Sequence, residues 1–336
     1  PSIWNLQTMT EKNLVHELLT KFEDHISSHS FGVSPAELYD PITYIMSLGG
    51  KRIRPLLTLL GYGLYGKNPT EIFSQAAALE VFHNFTLMHD DIMDQAPLRR
   101  GKPTVHEKWN ANIAILSGDV MLVRAYDLLL PTPTALLPEA IRLFNKTAAE
   151  VCEGQQLDMN FEGYETVAEA NYIEMIRLKT AVLLGFALQL GALLAGAAKE
   201  DVQRIYDFGV NIGIGFQLQD DLLDVFADQA KFGKQVGGDI ISNKKTFLLI
   251  KALELAKGKE KEELQHWLGL SQFDKEEKVA AVKGIYEKLG IRSLTEKKMA
   301  SYFEEGFQQV ERLQIKDQNY SKALVAVTQE LMQREK

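Results

Sequence analysis

An all-α fold is the class this sequence predicts, on three observations. Thr70 to Asp94 runs without Gly or Pro, and Asp201 to Asp228 forms another long helical stretch. Apolar residues return every three or four positions, at Val279, Val282, Tyr286 and Leu289 and again at Phe303, Phe307, Val310 and Leu313. Sustained alternation bounded by hairpin turns such as Asn-Gly is missing, so no sheet is expected.

The breaks between helices are local. Gly49-Gly50 and Pro55 bracket a basic cluster, and Pro97 to Pro103 is a loop with Gly101. Pro131, Pro133 and Pro138 mark one connection, and Gly233 to Gly238 mark another. The length of 336 residues would allow two domains, but no long polar linker divides the chain. One helical domain over residues 1–336 is therefore expected.

Composition narrows the function. Hydrophobic residues make up 46% and charged residues 24%, a globular balance, and a net charge of -8 argues against a nucleic-acid partner. The single cysteine, Cys152, excludes an intramolecular disulfide and a thiolate metal site. The first residues lack the layout of a signal peptide, and the expected compartment is the cytoplasm. Thr180 to Ala198 is uncharged and long enough to span a membrane. Gln189 interrupts it, glycines are frequent and no second such segment exists, so a buried core helix is expected and no membrane span.

The chemistry sits in one motif that occurs twice, Asp90-Asp91-Ile92-Met93-Asp94 and Asp220-Asp221-Leu222-Leu223-Asp224. Four residues apart on a helix, Asp90 and Asp94 share a face, as do Asp220 and Asp224, while Asp91 and Asp221 point about a quarter turn aside. A solvated acidic face is the bland alternative. It is disfavoured because each motif ends an otherwise apolar helix, which points to a cleft. Carboxylates offered one or two per helix are what Mg²⁺ uses when substrate phosphates complete its coordination. Two facing motifs could hold several Mg²⁺ around one diphosphate and make it a better leaving group.

Basic residues flank both motifs. Arg99-Arg100-Gly101-Lys102 follows the first, presenting guanidinium groups suited to phosphate. Gly233-Lys234 and Lys244-Lys245 follow the second, with Asp239 between, and Lys51-Arg52-Ile53-Arg54 lies upstream. A solvated loop is the ordinary meaning of any one such cluster. Three clusters around two metal-type motifs in an acidic chain weigh against it.

These residues resemble the trans-isoprenyl diphosphate synthases of the polyprenyl synthetase family. The family's signatures appear as GGKRIRP (49–55), HNFTLMHDDIMDQAPLRRGKPT (83–104), Lys179-Thr180, GFQLQDDLLD (215–224) and GKQVGGDIISNKKT (233–246). The resemblance spans about residues 40 to 250. It implies a helical bundle of the isoprenoid synthase type with a central cavity, with the C-terminal third as helical packing.

The implied activity is head-to-tail 1′-4 condensation of isopentenyl diphosphate with an allylic diphosphate (dimethylallyl, geranyl or farnesyl), with three Mg²⁺ per site. Asp90, Asp94 and Asp220 would be the principal metal ligands, and Asp91, Asp224 and Asp239 would orient metal-bound waters. Arg99, Lys179, Lys234 and Lys244 would bind the allylic diphosphate, and Lys51, Arg54, His83 and Arg100 isopentenyl diphosphate. His83, seven residues before Asp90, falls on the same helical stripe, although a core histidine is the plain alternative. Thr180 and Gln217 would aim oxygen dipoles at the developing allylic cation, though Thr180 could instead bond its own backbone.

A terpene cyclase would have no use for Lys51 and Arg54, and its second motif usually carries Asn, Ser and Glu. A head-to-head synthase would space its motifs differently, and a silent partner subunit should have lost one of them. Phe85, five residues before Asp90, would be roughly 7–8 Å below it and could act as the floor for the growing chain. Its neighbour Thr86 is small. In the family one aromatic here rather than two points to a C20 product, with C15 next, and a homodimer is typical.

Overall fold

The expected periodicity becomes helix along nearly all of the computed structural model, which describes residues 3–228 and 236–333. The chain falls into two compact units. One comprises Pro1–Asn145, Phe186–Gln203 and Gln314–Ala326, the other Lys146–Gly185, Arg204–Leu313 and Val327–Lys336. The first unit opens with α1 (Ile3–Ser27), α2 (Ala36–Ser47), α3 (Ile53–Gly63), α4 (Phe73–Met93), α5 (Val105–Lys108) and α6 (Ala111–Leu129). Next come α7 (Leu137–Glu162), α8 (Glu169–Ile176), α9 (Val182–Leu194) and α10 (Lys199–Phe226). The short α11 (Gly238–Ile241) leads to α12 (Phe247–Leu255), α13 (Gly258–Gly269), α14 (Lys275–Lys288) and α15 (Ile291–Glu311) of the second unit, then α16 (Gln318–Met332).

Helix boundaries follow local chemistry. The helix expected from Thr70 begins at Phe73, because Asn68 and Pro69 first fold a 3₁₀ turn over Pro69–Ile72. Asn68 Oδ1 accepts from the Thr70 amide at 3.2 Å, and Pro69 has no amide to lose. In the C-terminal region Val279, Val282 and Tyr286 lie in α14 and Leu289 caps it. Phe303, Phe307 and Val310 lie in α15, with Leu313 just beyond.

One expectation is corrected. The loop after the first aspartate motif is a minimal antiparallel ribbon of β1 (Leu98–Arg99) and β2 (Lys102–Pro103). Its two-residue turn has Arg100 at φ 50° and Gly101 at φ 75°. Both central residues left-handed is the primed hairpin turn, reached here through Arg-Gly, a pair that carries no hairpin signature of its own.

In the first unit α4 is buried over Ala76–Leu79, Val81 and Phe82. Phe82 meets Phe144 edge-on at 5.2 Å, and Phe144 packs against Tyr126 and Phe186. The uncharged run proves to be core: Glu169–Leu194 has the length and hydropathy of a membrane span, and 78% of that window is buried inside the protein. Glycines of this run and of the helices packed on it mark backbone crossings. In the first unit a Cβ at Gly191 would lie 2.2 Å from the Thr58 carbonyl oxygen, and one at Gly61 2.7 Å from that of Leu188. In the second unit a Cβ at Gly209 would lie 2.6 Å from the Gly185 Cα.

Two apolar clusters build the second unit. One joins Leu222 and Val225 of α10 to Ile240, Leu249, Val282 and Tyr286. The other gathers Tyr172, Met175, Ile214, Leu218 and Phe247.

Gly191→Ala places a methyl group against backbone that cannot swing away, so the protein should lose about 1–3 kcal/mol of stability. Thermal unfolding checks this, and a melting temperature unchanged from the parent would show that the crossing has slack.

Candidate active site

In the first unit α4 delivers Asp90, Asp91 and Asp94 at its C-terminal end, with Asp94 exposed at the cap. The expected quarter turn carries Asp91 inward, where it is 4% exposed. Arg99 returns to it as a fork, Nε donating to Oδ2 at 2.8 Å and Nη2 to Oδ1 at 2.7 Å. The ribbon makes this possible, since Thr104 Oγ1 donates to the Ala96 carbonyl at 2.8 Å and folds the loop back.

The upstream basic turn lies beside the ribbon. Arg100 Nη1 donates to the Gly49 carbonyl at 2.7 Å. A Cβ at Gly50, where φ is 126°, would lie 2.8 Å from Arg100 Nη2, so the turn needs glycine there. Lys51 is exposed. Burial lowers the Arg54 pKa, Arg100 adds to the lowering, and the Arg54 Nε is buried without a hydrogen-bond partner.

His83 belongs to this cluster. Burial, and then the charges of Arg54, Arg100, Arg99 and Arg52, hold its pKa well below the ordinary histidine value. At neutral pH it is an uncharged imidazole among cations, able to donate one hydrogen bond without adding repulsion. Phe85 is half-buried, its ring 4.8 Å from that of His89 and 5.7 Å from that of Phe82.

The second unit holds the other set. Asp220 is exposed at the end of α10, Asp224 half-buried, and Asp221 3% exposed. The Tyr172 hydroxyl donates to Asp221 Oδ2, and Gln217 Nε2 donates to Oδ1 at 3.3 Å. Burial pushes the Asp221 carboxyl up to about 7. Asp239 is pushed up to about 6 by burial and then by the Asp224 charge, with Asp158 and Asp220 adding to it and Lys244 opposing. The Asp239 amide donates to Asp224 Oδ2 at 2.9 Å, and the Lys244 amide to the Asp239 carbonyl at 2.9 Å. Lys244 itself is exposed. Lys179 donates to Asp158 at 2.6 Å, and it shares with Thr180 a π-helical turn, Arg177–Ala181, at the junction of α8 and α9. Such turns often sit at functional sites. Lys234 lies outside the described residues.

Sequence reasoning missed three contributors. Asp158 answers Lys179 because Gly154, four residues earlier on α7, lets that helix press on the Lys179 backbone; a Cβ there would be 2.3 Å from the Lys179 nitrogen. The Gly154–Asp158 spacing was readable, but nothing local says what lies opposite it. Tyr172, in α8, has no neighbour in sequence that announces its carboxylate partner. Lys278, fully buried in α14, donates to Asn243 Oδ1 at 2.5 Å and to the Ile241 carbonyl at 3.3 Å, behind the segment that carries Asp239 and Lys244.

A metal ion suits these donors chemically. The carboxylates of the second unit raise one another's pKa, and a bound cation would relieve that. Among the described residues no three His, Cys, Asp or Glu side chains are grouped so as to hold a metal ion. Mg²⁺ rarely asks for such a cage, keeping waters and substrate oxygens in its shell.

An all-α chain with paired aspartate motifs and clustered guanidinium groups is of the class that works on diphosphates. The polyprenyl synthetase model matches residues 35–288. The geranylgeranyl diphosphate synthase of Sulfolobus acidocaldarius is 41% identical over 269 residues, 79% of this chain and 81% of that one. The geranylfarnesyl diphosphate synthase of Natronomonas pharaonis is 39% identical over 236 residues, 65% of this chain and 69% of its own. A crystal structure of a geranylgeranyl pyrophosphate synthase superposes with a TM-score of 0.91 at 43% identity, covering 96% of this chain and 99% of that one. The chain belongs to the polyprenyl synthetase family. It is a prenyltransferase with the all-α isoprenoid synthase fold, in a family whose enzymes depend on metal.

The His83 assignment has a pH signature. Below about 6.5 the unfolded chain binds a proton on this residue that the native protein refuses, so acidification costs stability. The cost approaches about 1.4 kcal/mol per pH unit below 6.5. Denaturant unfolding at pH 7.5 and pH 5 should show a smaller acid loss in His83→Gln than in the parent, and equal losses would remove His83 from the cationic cluster.

Proposed function

We propose that the protein lengthens an allylic diphosphate by head-to-tail 1′-4 addition of isopentenyl diphosphate, releasing diphosphate and giving an all-trans C20 product, with C15 next. The observation that carries this reading is the cluster of Arg54, Arg99 and Arg100 around a neutral His83, with the buried Arg54 Nε lacking a protein partner. Arg99 is already paired with Asp91, but Arg54 and Arg100 repel each other, and a diphosphate would supply the balancing charge and the acceptor oxygens. A cyclase acting on one substrate has no need of this second anion site.

Lys51, Arg54, His83 and Arg100 hold the diphosphate of isopentenyl diphosphate in this reading. Arg99 in the first unit and Lys179 and Lys244 in the second attract the allylic diphosphate, and so would Lys234. Asp90 and Asp94 in the first unit and Asp220 in the second would be the principal ligands of Mg²⁺, three ions on this reading, and Asp91, Asp224 and Asp239 would orient metal-bound water. Bound Mg²⁺ would neutralise the leaving diphosphate. Thr180 and Gln217 present oxygen atoms to positive charge developing on the allylic carbon, and Tyr172 and Gln217 keep Asp221 oriented behind Asp220. Released diphosphate takes the final proton.

The chain works as a homodimer in the cytoplasm on this proposal. The α6 face that exposes Ile115, Leu116 and Val123 supports the first point as a surface suited to a second copy. The lone cysteine, Cys152, fits a reducing compartment.

Incubation with dimethylallyl diphosphate, isopentenyl diphosphate and Mg²⁺, followed by chromatography of the dephosphorylated alcohols, tests the reaction. Products lengthened in C5 steps are expected; a cyclic hydrocarbon from the allylic substrate alone would favour a cyclase. Asp220→Asn should keep the fold and lose on the order of a hundredfold in turnover, since a charged ligand is gone where charge lowers the barrier. Near-parental activity with the same Mg²⁺ dependence would remove it from the metal site.

Phe85 is assigned the floor of the product cavity. Phe85→Ala should lengthen the product by at least one C5 unit, with only a modest loss of rate. An unchanged product beside a lowered melting temperature would make Phe85 a packing residue of α4.

A further inference from the structure

Arg52 has no role in the reading above, yet its guanidinium is engaged on three sides. The residue is 6% exposed and left-handed, at φ 51° and ψ 39°, immediately before α3. Its Nε donates to Glu23 Oε2 at 3.0 Å, and Nη2 to Glu23 Oε1 at 3.2 Å and to the Met46 carbonyl at 2.7 Å. Nη1 donates to Glu80 Oε1 at 3.0 Å. Glu23 is on α1, Met46 on α2 and Glu80 on α4, so one side chain ties three helices to the start of a fourth. Glu80 is itself 3% exposed and accepts a second bond from Asn84 Nδ2 at 3.0 Å.

A left-handed backbone is strained for any residue with a Cβ, and strain of this kind persists where surrounding contacts over-determine it. Here it puts the Arg52 side chain into the interior between exposed Lys51 and the first turn of α3, which carries Arg54. Stability alone is a poor account of the network, because apolar replacements of buried ion pairs are often neutral or stabilising. A planar fork with bonds to three separate partners defines position, which a lysine ammonium does not.

We propose that Arg52 is a positioning residue for the non-allylic substrate, its grip on Glu23, Glu80 and the Met46 carbonyl setting where Lys51 and Arg54 meet the diphosphate of isopentenyl diphosphate. This rests on the reading that Lys51 and Arg54 bind that diphosphate. The same bonds fix the turn to α4 at Glu80, one helical turn before His83. Arg52 thus sets the spacing among Lys51, Arg54 and His83 without touching substrate.

Steady-state kinetics with each substrate varied in turn, on Arg52→Lys, Arg52→Met and Lys51→Ala, decides the matter. Arg52→Lys keeps the charge and loses the fork. It should raise KM for isopentenyl diphosphate on the order of tenfold or more, with KM for the allylic substrate within about twofold of the parent. Arg52→Met should do the same, which a purely electrostatic role would not give for the lysine variant. If Lys51→Ala raises the isopentenyl KM while both Arg52 variants leave it unchanged, or raise both KM values equally, the proposal falls and the binding reading stands. If Lys51→Ala has no effect on that KM, the binding reading fails and takes this proposal with it. Should the Arg52 variants not fold, Glu23→Gln weakens the grip from its solvent-facing partner. A several-fold rise confined to the isopentenyl KM then supports the role, and an unchanged value overturns it.

Discussion

Asp221 is buried and Asp239 half-buried in the second unit beside further carboxylates, and burial first, then those neighbours, pushes the two carboxyls up to about 7 and about 6. Left to themselves these groups would move apart or take up protons. Packing prevents the first: Tyr172 and Gln217 hold Asp221, the backbone of Asp239 is bonded to Asp224, and the segment after it is pinned by Lys278 through Asn243 and Ile241. A bound cation would answer the second, by supplying the charge the protein withholds. The C-terminal helices therefore do more than cover a core. The α14 helix supplies both Lys278 and the Tyr286 that closes the apolar cluster behind Asp239.

The first unit poses the same problem with the opposite sign. Arg54, Arg99 and Arg100 lie around one imidazole, and burial keeps that imidazole uncharged. Two of the neighbouring arginines are already committed, Arg99 to Asp91 and Arg52 to Glu23 and Glu80. Arg54 has a donor atom left over inside the protein. An acidic chain can collect anions in this way, by local arrangement against its net charge.

Both arrangements depend on backbones that approach closely. Gly191 against Thr58, Gly209 against Gly185 and Gly154 against Lys179 bring helices together at distances no side chain would allow. The glycines that made the uncharged run a poor membrane span are the ones that let it serve as a core helix. At Gly154 the same device brings Asp158 to Lys179.

Helix content, the two aspartate motifs, the basic turns and the buried character of most of residues 180–198 were legible in the sequence, because each is a matter of spacing or of residue type within about twenty positions. The quarter-turn offset of Asp91 and Asp221 was equally a consequence of helical geometry. What that offset leads to was not: Arg99 reaches Asp91 only because a two-residue turn with both centres left-handed sends the chain back, and Tyr172 meets Asp221 from another helix. The ribbon escaped notice because Arg-Gly adopts a turn that local preference assigns to Asn-Gly. Arg52 is one more charge in a basic cluster by sequence and proves to be an interior strut, and nothing near Lys278 in the sequence marks it as fully buried. Which of several adjacent charges points inward depends on partners that are distant in the chain, and those are set when helices pack and backbone torsions are chosen to suit them.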